Sequence, residues 1–279
     1  MNHRRVFALA LSAVVAGSVL TAGSSAAAPP KKTQAAPPAW APAATATVKP
    51  GVMTYTDNLQ CTANFVYTDR SGAVYLGQSA HCASLSGSFG TNGCEAESRP
   101  LGTPVEVTGA SKPGVLAYSS WISMRAAKET NPDICENNDF ALVRLDPADI
   151  RSTNPSVPVM GGPTGLDEDG AKSMETIYTY GNSSLRLGFS PLRPKQCRSL
   201  GGSANGWSHT VYCVTPGIPG DSGSGHMTSE GKALGTLSTF DPTLRNWLGD
   251  LPKMLAYARR SLPSVTLVNG TEPFTGRTL

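Results

Sequence analysis

Six consecutive small or acidic residues, Gly220-Asp221-Ser222-Gly223-Ser224-Gly225, stand near the start of the last quarter of this 279-residue chain. No apolar side chain interrupts the run, so it forms neither the middle of a core strand nor a stable helix. Glycines around Ser222 let the backbone take left-handed or closely approached conformations at little steric cost. The run therefore reads as a tight turn that presents one hydroxyl beside bare amides, which suits a nucleophile. A plain Gly/Ser surface turn has the same composition, so the rest of the chain has to decide between the two.

Charged residues make up 15% of the chain and aromatics 7%, with 29 Gly and 22 Pro. That balance favours many short strands over long helices, while the length allows one large domain or two small ones. The formal charge is +3, or +1 once Arg4 and Arg5 leave with the leader described next. Such a chain has no basic field to hold nucleic acid and no acidic tail for a polycation.

Residues 1–28 have the form of a signal peptide: Arg4 and Arg5, an apolar stretch over 6–20, then small residues for cleavage after Ala27 or Ala28. The apolar stretch is too short and too broken by Gly and Ser to span a bilayer comfortably, so a retained anchor is the weaker alternative. The mature form is expected to be secreted, extracellular and free of membrane. Six cysteines, all beyond the leader, suit an oxidising compartment that pairs them. Residues 29–50, rich in Ala, Pro and Thr with Lys31-Lys32, read as an extended spacer or propeptide.

The folded part is read as two halves, 51–155 and 156–265, with a tail over 266–279. Strands are expected at 61–68, 73–79, 104–107, 115–124 and 139–145 in the first half, and at 176–180, 210–214 and 233–240 in the second. In the strand at 139–145, Asp139, Ala141, Val143 and Leu145 share one face. A Pro/Gly-rich passage over 156–165 separates the halves. One helix is expected over 251–261, with Leu251, Leu255 and Ala258 on one face and Arg259-Arg260 in its last turn. The class is all-β.

Of four histidines, His3 leaves with the leader. His81 follows a strand and is followed by Cys82, which a cross-link can fix; a general base has to be held in one orientation in this way. Asp139 stands at the entrance of an apolar strand, where a carboxylate is drawn toward the core and needs a partner. It can fix an imidazole tautomer or simply initiate the strand.

Ser79-Ala80-His81-Cys82, Asn138-Asp139-Phe140-Ala141-Leu142 and Gly220-Asp221-Ser222-Gly223-Ser224 together resemble the chymotrypsin-like (trypsin-fold) serine peptidases of secreted bacterial type. The order is His, Asp, Ser. The resemblance implies two six-stranded antiparallel Greek-key barrels, a C-terminal helix and an active site in the cleft between the barrels. His81 would be the general base, Asp139 its orienter and Ser222 the nucleophile, with the amides of Gly220 and Ser222 as the oxyanion hole. Pro216, Ser238, Thr239 and Phe240 would line the substrate, and Ser238 would bond toward Asp139. The template implies the pairings Cys61–Cys82, Cys94–Cys135 and Cys197–Cys213. It implies a monomeric endopeptidase acting on polypeptides without cofactor or metal.

The chain departs from the family in places. No Ile-Val-Gly-Gly-like segment precedes Cys61, so Asp221 needs an internal base, with Arg186, Arg193 and Arg198 as candidates. Pro216 stands where trypsin-like members hold an acid, which argues against an Arg/Lys pocket, and Phe240 narrows the entrance. His209 and His226 are either receivers of an acidic side chain or ordinary strand and surface residues. A G-x-S-x-G elbow is absent, and no late Asp-x-x-His follows as the Gly-Asp-Ser esterases require. Asp167-Glu168-Asp169-Gly170 lacks the further ligands of a calcium loop and reads as a solvated turn. No Cys or His pair has zinc spacing. A catalytically silent binding module with the same fold is the alternative reading.

Overall fold

The computed structural model describes residues 38–85, 92–240 and 243–278; the leader, Lys31-Lys32 and the start of the expected spacer lie outside the described residues. The first half contains β1 (Met53–Thr56), β2 (Leu59–Thr62), β3 (Val66–Thr68), β4 (Val74–Gln78), β5 (Pro104–Val107), β6 (Gly114–Ser119), α1 (Ser120–Ala127), α2 (Pro132–Asn137) and β7 (Ala141–Arg144). The second contains β8 (Thr176–Tyr180), β9 (Pro194–Ser203), β10 (Ser208–Cys213), β11 (Gly225–Met227), β12 (Ala233–Phe240), β13 (Arg245–Asp250) and α3 (Leu251–Ala258). A last strand, β14 (Thr266–Leu267), follows.

The second half closes as a six-stranded barrel, β10-β13-β12-β11-β8-β9, antiparallel throughout. The first half differs from the six strands expected: it is an eight-stranded antiparallel sheet in the order β14-β3-β4-β7-β6-β5-β1-β2. Two causes account for the difference. The strand expected over 61–68 breaks at Asn64, whose buried side chain accepts the amide of Phe65 at 2.6 Å and the hydroxyl of Tyr67 at 3.1 Å. Residues 63–65 thus carry the chain from β2, at one edge of the sheet, to β3, beside the opposite edge strand β14, bringing the sheet round on itself. In addition, the expected tail pairs with β3, Thr266 opposite Thr68 and Leu267 opposite Tyr67.

The strand expected over 115–124 also ends early. At Ser120 the chain turns into α1, because the Ser120 hydroxyl donates to Asn138 O at 2.5 Å and accepts the Phe140 amide at 3.0 Å. Residues Ser123 to Ala127 include Met, Arg and Ala, which favour a helix. α2 starts at Pro132, with Asn131 Oδ1 accepting the Asp133 amide. α3 starts under Asp250, whose carboxylate accepts the Lys253 amide at 2.9 Å, and ends at Ala258, short of Ser261.

The spacer expected over 29–50 is shorter than its composition suggests. Val48 is fully buried in the first-half core and bridges Thr153, while the Ala41 amide donates to Thr153 O. Too few apolar residues stand there to form a core alone, but one valine is enough to dock on an existing one. At about 1.5–3 kcal/mol for a fully buried aliphatic side chain, that docking is worth having.

Three apolar clusters hold the molecule. One underlies the first sheet, with Leu76, Leu116, Trp121 and Val143, and another fills the second barrel, with Ile177, Val211, Leu234 and Leu248. The third joins the halves: Phe65, Phe140 and Leu142 from the first meet Met227, Leu251 and Leu255 from the second. Asp139 directly precedes Phe140 of this shared core, while Ala80 and Ala83, on either side of His81, belong to the first cluster.

Candidate active site

His81 sits in a short 3-10 turn, Ala80–Ala83, directly after β4. The next residue, Cys82, is bonded to Cys61; the other pairs are Cys94–Cys135 and Cys197–Cys213, and no described cysteine is free. Asp139 lies between α2 and β7, with its side chain fully buried. One carboxylate oxygen accepts the His81 backbone amide at 2.9 Å; the other meets His81 Nδ1 at 2.6 Å and accepts the Ser238 hydroxyl at 2.7 Å. Asp139 thus grips both the backbone and the ring of one histidine. That leaves Nε2 as the ring nitrogen available for proton transfer.

Burial opposes charge on both groups, but their mutual attraction outweighs it. For His81, burial alone would lower the pKa, yet the charge and hydrogen bond of Asp139 raise it above the ordinary histidine value. For Asp139, burial alone would raise the pKa. His81, then the Ser238 hydroxyl and the His81 amide, bring it below the ordinary carboxylate range. The two titrate as a coupled pair.

Ser222 is half-buried in the turn before β11. Its carbonyl accepts the amide of Thr62, next to the Cys61 staple, at 2.8 Å. A Cβ on Gly223, which has φ +86°, would lie 2.7 Å from Thr62 O and 2.9 Å from Ser79 N. Only glycine fits here, and it brings the serine turn against the segment leading into His81. Among the described residues the Ser222 hydroxyl makes no hydrogen bond; in unliganded sites such contacts are often long.

The amides of this turn divide into two sets. Those of Asp221, Gly223 and Ser224 donate to Ile218 O, Leu237 O and Asp221 O. Those of Gly220 and Ser222 donate to nothing among the described residues. Gly220, at φ +94°, is oriented by its carbonyl, which accepts Gln60 Nε2 at 2.9 Å and the Thr62 hydroxyl at 2.8 Å.

Asp221 points inward. Arg186 donates to its Oδ2 at 2.5 Å and Lys195 at 2.7 Å, while the amides of Ser183 and Ile218 also donate to the carboxylate. Burial would raise the Asp221 pKa, but the charge of Lys195 and the bonds from Arg186 bring it below the ordinary range. Lys195, itself buried, is lowered by burial and by Arg186, with Asp221 only partly offsetting them. Of the three arginines expected as partners, Arg186 is the one used. Arg198 instead bonds the exposed Thr176 hydroxyl, and Arg193 makes no side-chain bond to Asp221. Lys195 was missed, although strand parity points to it: in β9 Lys195, Cys197 and Ser199 face inward, while Gln196 and Arg198 face out.

Of the expected substrate-lining residues, Ser238 and Thr239 stand half-buried near the end of β12 and Phe240 is 46% exposed. Pro216 offers its carbonyl to Arg186 at 3.0 Å. Both spare histidines are buried. His209 is buried, with Nε2 2.8 Å from Asp250. His226 is buried against Ser224 O, and burial foremost pushes its pKa down to about 3. Among the described residues, Cys61, His81 and Cys82 are the one His/Cys/Asp/Glu group close enough to share an ion. Two of those sulfurs are bonded to each other, and the 167–170 turn forms no such group.

A closed six-stranded barrel, a second antiparallel sheet and a glycine-bounded serine turn set against a buried Asp–His pair define the two-barrel fold of the chymotrypsin-like serine peptidases. No family model and no curated protein matches the chain. Among solved structures it is similar to Thermobifida fusca protease A, with TM-score 0.50 and 16% identity over 80% of this chain and 99% of that one. It is also similar to Cellulomonas bogoriensis chymotrypsin (TM-score 0.46, 15% identity, 79% and 98% covered). A third neighbour is a glutamic-acid-specific serine protease that uses a histidine triad in substrate binding (0.47, 17%, 79% and 100%). The likeness is one of fold.

Proposed function

We propose that the chain is a secreted serine endopeptidase that hydrolyses peptide bonds through an acyl-enzyme. The observation that carries this reading is the pairing of two features in one place: a histidine held at Nδ1 by a buried carboxylate, and a serine turn whose Gly220 and Ser222 amides are left unbonded. His81 Nε2 takes the Ser222 proton as Oγ attacks the carbonyl carbon, and Asp139 stabilises the imidazolium that forms. The two amides receive the oxyanion; one such donor contributes about 3 kcal/mol to the transition state. The imidazolium then gives its proton to the leaving amine, and water releases the acyl group by the same route.

Pro216, Ser238, Thr239 and Phe240 bound the space for the polypeptide, and the chemistry needs no cofactor. The three disulfides and the basic-then-apolar leader support export. Among the described residues no helix is long and apolar enough to cross a membrane.

The test is covalent labelling by a fluorophosphonate. The wild type should label and Ser222→Ala should not, with peptide hydrolysis falling by about a millionfold in Ser222→Ala. A folded wild type that neither labels nor cleaves would refute the reading.

A further inference from the structure

The unbonded amide of Gly220 belongs to the peptide unit Pro219–Gly220. A trans peptide is a rigid plane whose N–H and C=O point opposite ways, so whatever holds the Pro219 carbonyl aims the Gly220 amide. The hydroxyl of Ser183 does this, donating to Pro219 O at 2.6 Å. The backbone alone leaves the choice open. Gly220 sits at φ +94° and has no Cβ, so the plane can turn over at little steric cost. Turned over, it would present a carbonyl oxygen where an oxyanion is to form.

Ser183 is itself firmly placed. It is 3% exposed, its amide donates to Asp221 Oδ1 at 2.9 Å, and its hydroxyl also accepts the Leu185 amide at 3.1 Å. Its neighbours are tied to β2 of the first sheet. The Thr62 hydroxyl accepts the Asn182 amide at 3.1 Å, and Gln60 Oε1 accepts the Ser184 amide at 2.9 Å. Gln60 Nε2 faces Asn182 O at 3.3 Å. These two β2 side chains also hold Gly220 O, at 2.9 and 2.8 Å. The peptide planes on both sides of Gly220 are thus fixed, the one bearing its carbonyl by Gln60 and Thr62 and the one bearing its amide by Ser183.

We propose that Ser183 is a positioning residue for the oxyanion hole: its hydroxyl keeps the Pro219–Gly220 plane turned so that the Gly220 amide faces the reacting carbonyl, and β2 keeps Ser183 in place. The proposal rests on the peptidase reading. The hydroxyl is spent on Pro219 O and the Leu185 amide, so it acts through Gly220 and not on the substrate. Its loss is felt where negative charge develops, and leaves ground-state binding and the His81–Asp139 pair as they were.

The experiment compares the wild type, Ser183→Ala and Gln60→Met on a fluorogenic peptide that the wild type cleaves. A peptide trifluoromethyl ketone, whose adduct with Ser222 carries an oxyanion, serves as inhibitor, and Tm reports folding. In Ser183→Ala kcat should fall by about tenfold or more, within the roughly hundred- to thousandfold that losing one donor outright costs. KM and the acid limb set by His81 should not move, and inhibition by the ketone should weaken by a similar factor. Gln60→Met should show the same pattern in smaller measure, and it carries the test if Ser183→Ala does not fold. A folded Ser183→Ala with kcat within about twofold of wild type, or with its loss in KM or in a shifted pH limb, would overturn the positioning role and leave the peptidase reading standing. A wild type that cleaves no peptide would remove both.

Discussion

Asp221→Asn tests whether charge holds the serine turn inward. In the wild type one buried carboxylate faces two buried cations, Arg186 and Lys195, whose side chains are 7% and 3% exposed. Neutralising it leaves both cations without a counter-charge, and removing one partner of a buried pair costs about 3–5 kcal/mol. That is a large share of the roughly 5–15 kcal/mol by which a domain is stable. Lys195→Met should cost far less, on the order of 1 kcal/mol, because Arg186 and two amides still answer Asp221 while one desolvated charge is gone. The double variant should therefore be more stable than the sum of the singles, with a coupling of at least about 1 kcal/mol. Urea unfolding followed by tryptophan fluorescence at neutral pH, disulfides intact, gives all three values. The rate of fluorophosphonate labelling reports the Gly220 and Ser222 amides and should fall by about a hundredfold in Asp221→Asn. Because the folded pKa of Asp221 is depressed, its stabilisation is present above the unfolded value near 4 and is lost as pH falls through the folded one. An Asp221→Asn protein within about 1 kcal/mol of wild type, or strictly additive variants, would refute the reasoning.

Two further outcomes are expected. His81 titrates above the ordinary value of 6.5 because Asp139 outweighs burial, so kcat/KM should fall as pH drops through a value higher than that; Asp139→Asn should move this limb downward and lower kcat by about four orders of magnitude, and an unmoved limb in the variant would contradict the pairing. Gly223→Ala places a Cβ against two backbone atoms at 2.7 and 2.9 Å and at φ +86°, so it should lower stability by more than about 1 kcal/mol; an unchanged Tm would show that the turn is not packed against Thr62 and Ser79.

What the sequence made legible were features with a local cause. The glycines around Ser222, the cysteine after His81 and the aspartate before an apolar strand each announce a constraint within a few residues. What it hid depended on partners far along the chain. Asn64 breaks a strand that reads as continuous, because its amide is satisfied by Phe65 and Tyr67 inside the fold. Ser120 turns an apparent strand into a helix through Asn138 and Phe140, 18 and 20 residues away. Residues 41–50 look too polar to pack, yet Val48 docks on a core built by others. Lys195 belongs with these: the strand β9 that gives it inward parity with Cys197 was not among those expected, and a buried lysine makes sense only once Asp221 is known to lie opposite.

The last strand carries a mechanical consequence. β14 is stitched to β3 in the first sheet, and a few residues later Phe274 stacks edge-on against Tyr178 of the second barrel and covers Gly231. Between them, Glu272 and Met160 exchange backbone bonds with Gly162 and Thr275 along the connection between the halves. Residues 266–275 are therefore a strap across both lobes, fastened at each end. Hinged opening, the default motion of two lobes with a cleft between them, would have to peel this strap first. For the peptidase proposed above, the strap would hold the space between the lobes at a fixed width and leave side-chain rearrangement at the rim as the source of adaptability.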